Sequence, residues 1–142
     1  MEKINLLYET SIDNPFNSEW FCWIDAGISS LRNRTDNIPV KITNNIIYLL
    51  EKDKINYSSS EINDIDYDWN EYKHDVAGTM FIIHKDKIKF YKNLFYQYLN
   101  ECVKNTNKYT CYSDQIIFSK IKLKYPEYFH KLCSGYGCMV NL

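Results

Sequence analysis

The stretch Trp20-Phe21-Cys22-Trp23-Ile24-Asp25-Ala26-Gly27 decides how the rest of the chain is read. Its first five residues are apolar or aromatic, a composition suited to a pleated, buried strand, and the run is too short for an ordinary helix. Apolar character without polar alternation predicts a strand covered on both faces, as in a parallel α/β sheet. An acid at the carboxyl end of such a strand stands where ligands bind in open α/β folds. The small pair Ala26 and Gly27 leaves room for a ligand to approach the backbone. The chain has only two alanines, and each precedes a glycine: Ala26-Gly27 here, and Ala77-Gly78 at the start of a second apolar run. Asp also opens ordinary turns, but the apolar run before Asp25 and the small pair after it favour a ligand site.

Composition sets bounds on function. With 142 residues, 45% hydrophobic and 25% charged, residues 1–142 form a single domain large enough for a real core. The 17 basic and 18 acidic side chains leave a net charge of −1, so there is no electrostatic footprint for nucleic acid. No apolar run approaches the ~20 residues that span a bilayer, so no transmembrane segment is expected. Met-Glu-Lys does not open a signal peptide, and a cytoplasmic location follows as the expectation. The five cysteines (Cys22, Cys102, Cys111, Cys133 and Cys138) are odd in number and lack Cys-x-x-Cys spacing. That pattern speaks against zinc and against a disulfide framework, and for reduced thiols.

The coarse reading is mixed α/β. Residues 2–12 suit a short helix with Ile4, Leu7, Tyr8 and Ile12 on one side, ended by Asn14-Pro15 because the residue before proline avoids helical geometry. A first strand covers 19–25. Residues 28–39 read as polar and irregular, and Ile46 to Leu50 suits either strand or helix. From Ser58 to Asp75 the chain reads as an acidic loop. A second strand is expected at 76–83. The clearest helix follows at 86–104, with Ile88, Tyr91, Phe95, Tyr98, Leu99 and Cys102 at helical spacing. Another helix spans 114–124, with Ser113 as its N-cap and Pro126 beyond its end.

Several motifs carry two readings. Val76 to Ile83 is either a core strand with a glycine bulge or the wall of a pocket in which a side chain at Gly78 would strike a ligand. Asp114 suits the first turn of a helix, where the dipole favours a carboxylate; the same position lets Asp114 and the Gln115 amide meet sugar hydroxyls. Asp64, Asp66, Asp68, Asn70 and Asp75 imitate a calcium loop, but Trp69 replaces its turn-making glycine, which favours a solvated acidic loop. His74, His84 and His130 show no metal-ligand spacing and suit surface or capping roles, with His130 placed to reach a site from the C-terminal tail. Ser134-Gly135-Tyr136-Gly137 is a turn with weak potential for phosphate contact.

In order along the chain, three blocks resemble the HtrL/YibB family of bacterial and viral proteins. They are Asn14-Pro15-Phe16-Asn17-Ser18-Glu19-Trp20-Phe21-Cys22-Trp23-Ile24-Asp25-Ala26-Gly27-Ile28, then Val76-Ala77-Gly78-Thr79, then Ser113-Asp114-Gln115-Ile116-Ile117 with Tyr125-Pro126-Glu127-Tyr128-Phe129. That family is itself similar to nucleotide-sugar glycosyltransferases of the type-A fold, a Rossmann-like α/β sandwich. The resemblance implies that Asp25 takes the place of the first acid of an Asp-x-Asp motif that holds ribose and a divalent metal (Mn or Mg). It implies that Ala77 and Gly78 line the donor sugar site, with the small pair Ala26 and Gly27 giving a ligand access to the backbone, and that Asp114 and Gln115 act at the sugar or the acceptor.

Two departures stand out. Gly27 replaces the second acid, which weakens direct coordination of a hard cation; a register that takes Trp23-Ile24-Asp25 as the motif keeps the metal-binding acid and loses the first. Only 24 residues precede Asp25, too few for a βαβ unit of roughly 30 residues or more. The chain therefore looks like the C-terminal part of the fold, lacking the N-terminal nucleotide-binding half. The implied partners are a nucleotide-sugar donor and a glycan or other hydroxyl acceptor, with self-association or a partner chain completing the sheet. The alternative is a non-catalytic remnant that binds carbohydrate or protein.

Overall fold

A computed structural model of the chain describes residues 2–28, 44–60, 74–105 and 113–142. It shows a mixed α/β fold with three helices and a four-stranded open sheet. Helix α1 spans Lys3–Asp13, α2 Lys85–Lys104 and α3 Asp114–Lys124. Strands β1 (Trp20–Ile24), β2 (Ile55–Ser59), β3 (Val76–His84) and β4 (Phe129–Ser134) lie in the order β1-β3-β2-β4.

The sheet is mixed, and this corrects the expectation of a parallel one. β3 runs antiparallel to both neighbours, while β2 and β4 are parallel. β1, expected to be covered on both faces, is an outer strand of the described sheet. Phe21 is buried, but Cys22 and Ile24 are exposed. Aromatic residues suit a half-covered edge as well as a buried strand, so the apolar run could not separate the two. β3, by contrast, is buried almost throughout.

The helices cover one face. Phe21, Ile55, Tyr57, Phe81, Ile83 and Phe129 point into a core with Ile4 and Leu7 of α1, Ile88, Tyr91, Phe95 and Tyr98 of α2, and Ile117, Phe118 and Ile121 of α3. On α2 the expected helical spacing holds, with Leu99 partly buried beside the others. Ile12, expected on the inner side of α1, is instead 61% exposed. On the opposite face Met80 and Ile82 meet Ile46, Met139 and Val140. Ile46 belongs to the 3-10 turn Asn44–Leu49, which resolves the strand-or-helix ambiguity there, and Met139 and Val140 to the C-terminal 3-10 turn Cys138–Asn141.

Val76 and Phe81 both face the helices although they are five positions apart. A regular strand alternates faces every residue, so an odd separation requires extra chain between them. The register supplies it. Tyr57 faces Phe81 but Ser59 faces Val76, so β3 bulges across Ala77 to Met80. The glycine-bulge reading of this segment holds.

Two strands escaped the sequence reading. β2 includes Ser58 and Ser59, assigned there to an acidic loop, and β4 begins straight after the 3-10 turn Pro126–Tyr128. β2 is fully buried yet carries Asn56, Ser58 and Ser59, whose polarity hides the strand pattern. The calcium-like motif Asp64 to Asn70 lies outside the described residues. Ser113 does stand at the N-cap of α3 in extended geometry, but its side chain makes no cap hydrogen bond. The expectation of reduced thiols is overturned at one pair: Cys133 and Cys138 form a disulfide, with Cα atoms 6.1 Å apart. Cys-x4-Cys spacing carries no recognised signal, because only the turn after β4 brings these cysteines to bonding distance.

Candidate functional site

β1, β2 and β4 all end on the same side of the sheet, where β3 begins, and the bulge of β3 lies there. Asp25 follows the last residue of β1, its N–H donating to the Thr79 carbonyl at 2.8 Å. Asp114 and Gln115 open α3, whose Ser119 hydroxyl accepts from the N–H groups of Asp75 and Val76 at 3.0 Å each. That pair of bonds seats α3 against the entry to β3.

The three segments meet at an ammonium. Lys3, in the first turn of α1, places Nζ 3.1 Å from both carboxylate oxygens of Asp25, 3.3 Å from Asp114 Oδ2 and 2.8 Å from the Gly78 carbonyl. Asp25 also accepts from the Trp23 indole N–H at 2.7 Å, and the ammonium lies 5.8 Å from the Trp23 ring. The Lys3 and Asp25 side chains keep 22% and 32% of their surface in solvent, and Asp114 keeps 12%, so the cluster opens outward from a buried floor.

Gly78 is required here by close approach. A Cβ on it would sit 2.6 Å from Asp114 Oδ2 and 2.7 Å from Gln115 Cγ, so any side chain collides with the site's own residues. A side chain at Gly78 would meet α3 before it met the ligand expected there. Gln115 Oε1 and Thr79 Oγ1 are buried without a hydrogen-bond partner among the described residues, and Asp114 Oδ2 has only the ion pair. Such orphaned polar atoms are costly and call for partners.

Asp25, Gly78, Asp114 and Gln115 are therefore brought together. Ala26 and Gly27 continue the Asp25 turn, closed by the Ile28 N–H donating to the Asp25 carbonyl at 3.0 Å. Ala77 is fully buried. His130 is not part of the group. It lies near the other end of the sheet, with Nε2 3.1 Å from the Leu49 carbonyl and Nδ1 2.9 Å from Glu51. His84, also at that end, is a buried capping residue whose Nδ1 accepts from the Asp86 N–H. A cavity of about 490 Å³ lined by Lys54, Phe90 and Tyr128 lies there too, its Lys87 paired with Asp53 at 2.9 Å.

Lys3 and Trp23 were not singled out as site residues. One faint signal existed for Lys3: it sits one helical turn before Leu7, on the face that α1 buries.

A divalent cation does not fit the cluster as it stands. Two carboxylates and a carbonyl are suitable hard donors, but the Lys3 ammonium occupies the space between them. Among the described residues no group of three or more His, Cys, Asp or Glu side chains is placed to hold a metal. Nor is any described helix long and apolar enough to cross a membrane. Compared with protein-family models, curated proteins and solved structures, the chain matches none.

Proposed function

We propose that the chain is a glycosyltransferase-like domain of Rossmann-like, type-A character. Its Asp25–Lys3–Asp114 cluster then binds the sugar of a nucleotide-sugar donor for transfer to a hydroxyl acceptor. The observation that carries this reading is the meeting of Asp25, Gly78 and Asp114 at one ammonium beyond the strand ends, where open α/β sheets take ligands. Sugar hydroxyls both donate and accept. The cluster offers carboxylates, orphaned polar atoms and an ammonium at once, with a half-buried indole alongside.

In this reading Asp25 and Gly27 hold the donor, Gln115 and Asp114 meet the sugar or the acceptor hydroxyl, and Lys3 supplies positive charge near the leaving group. Electrostatic stabilisation of that group would carry much of the rate. Manganese or magnesium, implied by the resemblance, would have to displace the ammonium to bind Asp25.

A second reading has its own support. Lys3 already pairs with both carboxylates, which suits a non-catalytic module that binds carbohydrate or protein.

Calorimetry with a panel of nucleotide sugars, with and without manganese, tests the proposal. The expected result is donor binding that Asp25→Asn weakens by roughly ten- to a hundredfold, the loss of one charge-assisted contact. Asp114→Asn is expected to lower turnover more than donor affinity. Binding of free glycans without turnover selects the second reading, and no binding of either class sinks both.

A further inference from the structure

Met139 and Val140 are fully buried, yet little regular structure holds the segment that carries them. After β4 the chain turns through Gly135 and Gly137, both at positive φ, into the single 3-10 turn Cys138–Asn141. Gly135 N–H donates to the Ser59 carbonyl at 2.8 Å, and the Tyr136 hydroxyl meets the His74 ring. The covalent tie is Cys133–Cys138, and both cysteines are partly exposed, within reach of a solvent reductant.

This hook lies at the site end of the sheet and touches the site's own turn. A Cβ on Gly137 would fall 3.3 Å from Ile28 Cγ1 and 3.6 Å from the Ile28 carbonyl. Ile28 in turn closes the turn that begins at Asp25. The hook's apolar residues pack with Met80, two positions beyond Gly78. Asp25 is thus backed by a short segment that one disulfide ties to β4.

We propose that the Cys133–Cys138 disulfide is a thiol-responsive latch that sets the order of the Asp25–Ile28 turn. Closed, it holds the hook against Ile28; open, it returns ring-closure entropy to the hook and loosens hook and turn together. A dithiol reductant opens it by exchange, and a phosphine gives the same two thiols. One thiolate of the dithiol attacks a protein sulfur and forms a mixed disulfide, and its second thiol then displaces that sulfur. Two electrons and two protons pass to the protein, leaving two cysteine thiols and the dithiol's own disulfide.

Hydrogen exchange on the full chain tests the latch without any ligand, so it stands or falls separately from the sugar reading. The oxidised chain and the chain reduced with a water-soluble phosphine are compared. Thiol state is verified by alkylation of the peptides that carry Cys133 and Cys138. Exchange is expected to rise about tenfold in residues 25–28 and 135–142 on reduction, with α2 unchanged and the effect reversed on reoxidation. Cys133→Ser should match the reduced chain, and Cys22→Ser the oxidised one. Three results overturn the proposal: alkylation of both cysteines after oxidation, unchanged exchange at 25–28 after verified reduction, or equal loosening of α2.

Discussion

The two ends of the sheet treat their polar groups in opposite ways. Where β2 starts, the buried Asn56 amide is saturated: Oδ1 accepts from the Glu51 N–H at 2.8 Å, and Nδ2 lies 3.0 to 3.3 Å from the carbonyls of Glu51, Lys54 and Ile82. Tyr91 donates to the Asp53 carbonyl, with the Tyr128 carbonyl 3.3 Å away, and burial raises its pKa. Where the strands end at Ile24 and Ser59, Gln115 Oε1 and Thr79 Oγ1 are left without partners among the described residues, and α3 is crowded against a glycine. Local saturation marks a structural role. Polar atoms left over beside a partly exposed ion pair are what the proposed ligand site requires.

The strongest way to break this contrast is at Asn56. Asn56→Ala should cost about 2–4 kcal/mol, because it breaks bonds to four backbone groups, the buried Ile82 carbonyl among them, and empties a buried site. Denaturant unfolding checks the figure, and a loss below about 1 kcal/mol would mean that the saturated end is not structurally decisive. Gly78→Ala comes next. Its methyl must displace the Asp114 carboxylate and Gln115, an overpacking expected to cost about 1–3 kcal/mol. If that variant unfolds like the wild type, α3 yields readily and the crowding argument fails.

Lys3→Met probes the site end directly. Its side chains are partly exposed, so solvent screening limits the loss to about 1 kcal/mol. The sharper measurement is a double-mutant cycle with Asp114→Asn. Coupling of about 0.5 kcal/mol or more is expected, and strict additivity would show that the ion pair contributes nothing.

The smallest effect belongs to His84. Burial first, and then the Lys52 charge, hold its pKa below the ordinary 6.5, so the folded chain favours the neutral ring that caps α2. A depressed pKa means the unfolded state takes up the proton first. This contribution is complete above 6.5 and is lost as pH falls below it. The lowered pKa values of Glu51, Asp53 and Asp86 place their own losses at more acidic pH. Unfolding curves between about pH 7 and pH 5 should therefore show a decline that His84→Asn removes; an identical decline in the variant assigns it elsewhere.

Much of this was legible along the chain. The spacing of Ile88, Tyr91, Phe95, Tyr98 and Cys102 marked α2, the run at Val76 marked β3, and the acid after Ile24 marked the end of β1. Those features are local, a period or a terminus, and period is the signal that a sequence carries. Asp25, Gly78 and Asp114 were singled out by residue type beside apolar runs, but their shared neighbour was not.

What only the tertiary structure decided is pairing. Strand direction, the edge position of β1, the partly polar strand β2, the Cys133–Cys138 bond and Lys3 between two carboxylates all depend on which distant segments come to lie together. No local pattern encodes that choice. A strand's hydrogen-bonding groups are the same whichever neighbour they meet, and a lysine in a first helical turn is ordinary until folding sets it between two acids. Elements follow from local residue chemistry, whereas partners follow from the arrangement that buries all their apolar faces at once.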